Sequence, residues 1–174
     1  MGNFIRNLLI GVALFIVLVI VIGFVSSGQR GPSNLGPVGS THEHVDFLVY
    51  MNDEPVDFSN PRYFVRSSFV HVESDNVGGA GKVIHVHATG VPLNMFFESV
   101  NMRLTEDCFR MDDGRMFCND GINELRFYVN GVRNEEYGDH ILRDDDKILI
   151  SYGDYSEQEL QDQLARIPDF AKLQ

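Results

Sequence analysis

Three short segments of the 174-residue chain each place two potential metal ligands two positions apart: His42-Glu43-His44, His71-Val72-Glu73 and His85-Val86-His87. Side chains at positions i and i+2 of a β-strand point to the same face, so three neighbouring strands could bring all six to one face of a sheet. Imidazole is the commonest protein metal ligand near neutral pH. The pattern predicts a metal site made of His42, His44, His71, Glu73, His85 and His87.

The predicted cofactor is a copper or zinc ion, because imidazole serves both metals and copper generally binds more tightly. Glu73 is either a ligand or an acceptor that orients an imidazole, and Asp46, two residues beyond His44, is a second candidate for such an acceptor. His140 lies alone in a loop-like segment and is predicted to be unrelated. The alternative interpretation is that these histidines are ordinary polar residues on strand faces.

The N-terminus carries a long apolar run. Leu8 to Val25 contains only Leu, Ile, Val, Phe, Ala and Gly, and no charged residue lies between Arg6 and Arg30. A run of about 18 apolar residues is typical of a membrane span. The small residues after Val25 also fit a cleavage site, so a cleaved signal peptide remains the alternative. We predict a transmembrane signal anchor over residues 1–28.

Residues 29–41 are rich in Gly, Pro and Ser and are predicted to form a flexible linker. We expect a β-rich extracytoplasmic domain over residues 42–155 and an amphipathic helix with a tail over residues 156–174. The acidic charge of this part and the two cysteines favour a cytoplasmic N-terminus and a domain outside the membrane. The net charge of −11 disfavours nucleic acid as a partner. The expected partners are the membrane, through the N-terminal helix, and a membrane-protein complex.

Hydrophobic periodicity predicts an α+β fold with a mixed or antiparallel sheet and one packed helix. Strict alternation places Val45, Phe47, Val49 and Met51 on one face of a strand. Further strands are predicted over 64–73, 82–88, 124–129 and 147–152. Pro92 opens a helix whose apolar stripe is Leu93, Phe96, Phe97 and Val100.

Two polar motifs lie near the C-terminus. Ser156 and Glu159 form a capping box that begins the last helix. The run Asp144-Asp145-Asp146 lacks the spaced oxygens, the glycine and the distal glutamate of an EF-hand. We therefore predict a solvated turn there rather than a calcium site.

The two cysteines, Cys108 and Cys118, flank a predicted hairpin. If Asp112-Asp113-Gly114 form a three-residue loop, the strands pair so that the cysteines face each other. Opposed residues of antiparallel strands lie close enough for a disulfide, and the alternatives are free thiols or soft metal ligands. The spacing does not supply the Cys-x-x-Cys of a thioredoxin-type redox site, so a bridge here is structural.

Two resemblances accompany these motifs. Leu125 to Gly131 and Leu142 to Ile150 resemble the closing half of a β-grasp domain, as in ubiquitin-like sulfur carriers. The chain ends in Ala171-Lys172-Leu173-Gln174 rather than in the Gly-Gly tail of those carriers, so the resemblance implies a β-grasp-like fold and no carrier role.

The second resemblance covers nearly the whole chain. A strand with His-x-His at His42, an Ile-His-x-His-Ala-Thr-Gly strand at Ile84, Phe-Phe-Glu-Ser at Phe96, and the Cys108 to Cys118 hairpin occur here in this order. This order is similar to that of a group of archaeal membrane-anchored proteins, some of them labelled protein-disulfide isomerase. The resemblance implies an archaeal, surface-facing protein.

Three hypotheses for the function follow. The first is a metal-binding module that serves as an accessory subunit or a metal-delivery protein of a membrane complex. The second is a structural or interaction subunit of a membrane or cell-surface assembly. The third is a His-ligated metalloenzyme, for which the chain offers no dedicated general base beyond Glu43 and Glu73. We therefore expect a binding module rather than an enzyme.

Overall fold

The computed structural model describes residues 34–74 and 78–173, and these form ten β-strands and two α-helices. The strands are β1 (Glu43–Met51), β2 (Glu54–Pro55), β3 (Val70–His71), β4 (Val83–Val86), β5 (Arg103–Leu104), β6 (Cys108–Arg110), β7 (Met116–Cys118), β8 (Glu124–Val129), β9 (Val132–Arg133) and β10 (Lys147–Gly153). The α-helices are α1 (Leu93–Ser99) and α2 (Glu157–Leu164), and three short 3-10 helices span Pro61–Tyr63, Tyr137–Asp139 and Ala171–Leu173.

The larger sheet is built around two parallel strands from opposite ends of the domain. β1 lies parallel to β10, with Phe47 opposite Ile148, and each is flanked on its other side by an antiparallel strand. The strand order is β3-β4-β1-β10-β8-β9, with β2 paired to the end of β1, and β5-β6-β7 form a separate antiparallel sheet. The predicted α+β class with a mixed sheet is confirmed.

The alternation in β1 separates an apolar core from a second face of mixed character. Val45, Phe47, Val49 and Met51 are all buried in the main core. Phe96 and Phe97 of α1 are fully buried in the same core, and Phe96 meets Phe47 edge to face at 5.5 Å between ring centroids. The predicted apolar stripe of this helix is therefore its packing face.

On the opposite face, the second half of β1 is covered by the C-terminal helix. Leu48 and Tyr50 of β1 pack in a smaller cluster with Leu160 and Leu164 of α2. The capping box predicted at Ser156 and Glu159 is present at the start of this helix. The helix thus begins where the sequence predicts and covers only part of the sheet face.

The hairpin of the small sheet has the predicted register. Cys108 lies opposite Cys118, Phe109 opposite Phe117, and Arg110 opposite Met116. The two cysteines form a disulfide, and the structural role predicted for them fits its position in a tight hairpin. The disulfide prediction is confirmed.

The strand predicted over 64–73 is much shorter in the structure. Only Val70–His71 forms a strand, β3, although an isolated bridge also joins Phe64 to Val72. Val65 has a φ of 49°, a left-handed conformation that a β-branched residue rarely adopts and that no β-strand can contain. The strand is therefore interrupted at Val65, and residues 66–69 belong to no strand.

The predicted anchor over residues 1–28 lies outside the described residues, as do linker residues 29–33 and loop residues 75–77. Among the residues that the structure does describe, no helix is long and apolar enough to cross a membrane. The rest of the predicted linker, residues 34–41, contacts the domain. Gly36 N–H donates to the Thr89 carbonyl at 2.8 Å, and Leu35 packs against the main core. Residues 34–41 of the predicted linker therefore pack against the domain that was predicted to begin at residue 42.

Candidate metal centre

Three adjacent strands bring the three predicted ligand pairs together. β4 lies between β1 and β3, with His85 directly opposite His44 on one side and His71 on the other. Side chains of directly opposed residues lie about 5 Å apart on the same face of a sheet. The three imidazoles thus form a row across the strands, on the face opposite the core residues Val45 and Ile84.

The five histidines of these pairs form a closed ring of neighbouring imidazoles. Ring centroids are separated by 4.8 Å for His42 and His44, 4.9 Å for His44 and His85, and 5.9 Å for His85 and His71. The ring closes through His87, whose centroid is 4.9 Å from both His71 and His42. All five predicted imidazole ligands therefore meet at one place.

Within this ring, His42, His44 and His85 can hold a metal ion together. Each offers one ring nitrogen, and these three atoms all lie within 4.8 Å of one another. Ligand atoms on a common zinc ion lie about 3.4 Å apart when the bonds are about 2.1 Å long, so small side-chain rotations bring the three nitrogens to bonding distance. This triad is the best-formed ion site among the described residues.

Glu73 and His71 lie on the other side of His85. One carboxylate oxygen of Glu73 is 3.5 Å from His71 Nε2, and the other is 4.0 Å from His85 Nε2. His71 Nδ1–H donates to the carbonyl oxygen of Ser67 at 2.8 Å, which fixes the orientation of the ring. A bond of this kind orients many ligating histidines, and here it places Nε2 on the side of Glu73.

Burial keeps several of these imidazoles in the uncharged form that binds metals. Burial is the main cause that lowers the pKa of His85 to about 4, with Glu73 acting against it and the neighbouring histidines adding to it. Burial is also the main cause that lowers the pKa of His44, with His42 adding to it, and that lowers the pKa of His87, with His71 adding to it. These ligands therefore do not lose a proton when an ion binds at neutral pH.

His42 is positioned by the segment 34–41, which docks on the end of β4. Gly39 N–H donates to the His87 carbonyl at 2.6 Å, and Thr89 N–H donates to Ser40 Oγ at 2.9 Å. Gly90 has a φ of 75°, and a Cβ there would collide with the backbone carbonyl of Asn34. A glycine is thus required at position 90 for this segment to reach the sheet.

The run of three aspartates holds the start of β1. Asp144 Oδ1 accepts from His44 N–H at 2.9 Å, Asp145 N–H donates to the His44 carbonyl at 2.9 Å, and Asp46 N–H donates to the Asp146 carbonyl at 3.0 Å. Asp144 and Asp145 are exposed, as a solvated turn requires, but Asp146 is buried. The predicted solvated turn is therefore wrong for Asp146.

The partner of Asp146 is His140, the histidine outside the ring. His140 Nε2 lies 3.0 Å from Asp146 Oδ2, and both side chains are more than nine-tenths buried. Nδ1 of the same ring lies 3.0 Å from Glu136. His140 lies outside the ring of imidazoles and belongs to a buried ion pair beneath the turn that holds His44. The sequence did not indicate this role, because several carboxylates lie near His140 in the chain and only the fold selects Asp146 and Glu136.

Asp46 does not orient a histidine. Its Oδ1 accepts from the N–H of Phe170 at 2.9 Å and of Ala171 at 3.1 Å. The prediction of a role beside the metal site is wrong, because the partners of this carboxylate come from the C-terminal segment.

The site is therefore a patch of imidazoles on a sheet face, with one carboxylate at its side. His71 and His85 are buried, His44 and His87 are half-buried, and His42 is exposed. An ion held there is reached from solvent on the His42 side.

Comparison of the chain with protein-family models, with curated proteins and with solved structures found no match.

Proposed function

We propose that this protein is a membrane-anchored, extracytoplasmic module that binds a copper or zinc ion through His42, His44 and His85. The observation that carries the proposal is the convergence of three ring nitrogens to within 4.8 Å on one sheet face. A single histidine on a strand face is common and needs no explanation. Three imidazoles whose nitrogens converge at ligand spacing are more specific to metal binding.

The donor set favours copper or zinc over other ions. Calcium and magnesium prefer oxygen ligands, whereas imidazole nitrogen suits zinc and copper. The ring supplies five imidazoles and only one carboxylate, Glu73. Copper binds more tightly than zinc to most such sites. Because the ligands suit both metals, the ion carried in the cell also depends on which metal is available.

The exposure of the site favours capture and transfer of an ion over permanent storage. His42 is exposed and Glu73 has 41% of its side chain accessible, so a partner can approach the ion from one side. A membrane tether in residues 1–28 would keep the module at the membrane where such a partner lies. We infer an accessory or metal-delivery role beside a membrane-protein complex.

A metalloenzyme is the second candidate, and the same exposure favours it. Three histidines with a fourth position open to water are the ligand arrangement of several catalytic zinc sites. Glu73 is a carboxylate beside the ring, 3.5 Å from His71 Nε2 and 4.0 Å from His85 Nε2. Hydrolytic turnover by the metal-loaded protein would favour this reading over delivery.

The fold supports a β-grasp-like assignment. Its first and last long strands, β1 and β10, are the central parallel pair, their antiparallel neighbours are β4 and β8, and α1 packs on one face. We infer a β-grasp-like core to which β5, β6 and β7 are added.

The test is metal binding by the full-length chain, purified in mild detergent without a histidine tag. We expect one tightly held Cu(II) or Zn(II) ion or more per chain, with a submicromolar dissociation constant in chelator competition. A His85→Ala, His87→Ala variant should lose at least 100-fold in affinity.

Glu43→Gln is the matched control, because Glu43 lies in β1 between two of the histidines while adjacent strand residues point to opposite faces. This variant should bind as the wild type does. Equal binding by all three proteins, or no specific binding by any, would refute the proposed function.

A further inference from the structure

The ring of imidazoles is too wide and too rich in ligands for one ion. A regular pentagon with sides of about 5 Å has its centre about 4 Å from each corner, whereas a bound zinc ion lies about 3 Å from the centroid of a ligating imidazole. Zinc takes four ligands in most protein sites, and six side chains converge here. A single ion at His42, His44 and His85 leaves His71 and Glu73 without a metal.

The unused ligands have the spacing of a second site. Glu73 Oε2 is 3.5 Å from His71 Nε2, close to the separation of about 3.4 Å that two ligands have on one zinc ion with bonds of about 2.1 Å. His87 is the neighbour of His71 on its other side, at 4.9 Å between centroids. A nitrogen and an oxygen at ligand spacing, with a second imidazole adjacent to the first, are thus available beside the first site.

His71 is already oriented for such a role. Its Nδ1–H donates to the Ser67 carbonyl, which fixes the ring and leaves Nε2 as the nitrogen that faces Glu73. The ring is buried, with 9% of its side chain accessible, whereas the Glu73 carboxylate reaches solvent. A buried, oriented imidazole beside a half-exposed carboxylate gives an ion a fixed ligand and an open side.

We propose that this sheet face holds two metal ions, the first between His42, His44 and His85 and the second between His71, Glu73 and His87. The inference rests on the proposed function and extends it. His44 of β1 and His42, which directly precedes that strand, are ligands of the first ion, and the β3 segment supplies two ligands to the second. From the strand between them, His85 of β4 serves the first ion and His87, which directly follows β4, serves the second. Two neighbouring ions of this kind would let the module carry or transfer metal in pairs.

The experiment counts Zn(II) ions on the full-length chain in mild detergent after equilibration with a chelator that removes weakly held metal. We expect two ions on the wild type and one on each of two variants, His42→Ala with His44→Ala and His71→Ala with Glu73→Gln. A Glu54→Gln variant is the control, because Glu54 is an exposed carboxylate in β2, away from the histidines. It should keep both ions.

The outcomes separate this inference from the function on which it rests. One ion on the wild type, retained by the His71 and Glu73 variant, overturns the second site and leaves the first intact. One ion that is lost in both double variants shows that all the ligands serve a single centre, which also overturns the inference. No ion on the wild type refutes the proposed function itself.

A single Glu73→Gln variant keeps the test decisive if a double variant fails to fold. It retains the shape of the side chain and removes its charge. We expect this variant to bind the second ion at least tenfold more weakly than the wild type does and to bind the first ion equally well. If the variant binds both ions with wild-type affinity, the inference is overturned.

Discussion

The buried pair of His140 and Asp146 predicts a large loss of stability in an Asp146→Asn variant. Asp146 Oδ2 lies 3.0 Å from His140 Nε2 and accepts from Arg143 N–H at 3.1 Å, while Oδ1 accepts from Asn130 Nδ2 at 2.9 Å. Removing one partner of a buried ion pair costs about 3–5 kcal/mol, because the other charge is left without compensation. Asparagine keeps the shape of aspartate, so we expect a loss near the lower value, about 3 kcal/mol at pH 6.

The loss should depend on pH in a defined way. Burial by itself lowers the pKa of His140, but the hydrogen bonds to Asp146 and Glu136 outweigh it and raise that pKa. Burial by itself raises the pKa of Asp146, but His140 and Asn130 outweigh it and lower that pKa. Both groups therefore carry their charges in the folded protein over a wider range of pH than in the unfolded chain.

The direction of each effect follows from linkage. The contribution of His140 is complete below its unfolded pKa of about 6.5 and is lost as the pH rises through its raised folded pKa. The contribution of Asp146 is complete above its unfolded pKa of about 3.9 and is lost as the pH falls through its lowered folded pKa. The difference between wild type and variant should therefore be largest between about pH 4 and pH 6.5.

The assay is urea unfolding of the full-length chain, followed by circular dichroism at pH 5, 6, 7 and 9. Asp145→Asn is the matched control, because Asp145 is exposed and has a φ of 63°, which asparagine tolerates well. The control should change the free energy of unfolding by less than about 0.5 kcal/mol. A loss below about 1 kcal/mol for Asp146→Asn at pH 6, or the same loss at pH 6 and pH 9, would refute this account of the pair.

Two further predictions concern the small sheet and the docked segment. Replacing Cys108 and Cys118 by serine should lower the free energy of unfolding by about 2–3 kcal/mol and leave Zn(II) affinity unchanged, since the hairpin belongs to the separate sheet. Gly90→Ala should weaken Zn(II) binding, measured by chelator competition, because its Cβ would push the Asn34 carbonyl away and displace the segment that leads into β1. Gly114→Ala, with a similar φ of 88° but open space around it, should leave Zn(II) affinity unchanged, and equal effects of the two alanines would contradict the docking argument.

Local patterns predicted those parts of the fold that local forces determine. The alternation from Val45 to Met51 identified both faces of β1, because the side-chain period of a strand is two. The position of Gly114 in the hairpin loop, with φ of 88°, set the register that pairs Cys108 with Cys118. The same two-residue period identified the six candidate ligand residues. They lie in or next to the adjacent strands β1, β3 and β4.

Long-range partners were not readable from the sequence. The parallel pairing of β1 with β10 joins segments about a hundred residues apart, and one chain carries no signal of which strands are adjacent. Asp46 was assigned to the histidines because His44 is its neighbour in sequence, yet its partners are Phe170 and Ala171. Asp146 is buried because it pairs with His140. The chain between the two residues is a loop, so no helical or strand period predicts that they meet.

The polar face of β1 explains why the metal ligands stay accessible in this fold. Read along one face of the strand, His44 is followed by Asp46, and then by Leu48 and Tyr50. The two apolar residues are covered by α2, and Asp46 accepts two backbone N–H groups from the chain that follows this helix. The C-terminal part of the chain therefore covers this face from Tyr50 to Asp46. His44, two residues before Asp46, instead lies in the ring of imidazoles, beside His42 and His85.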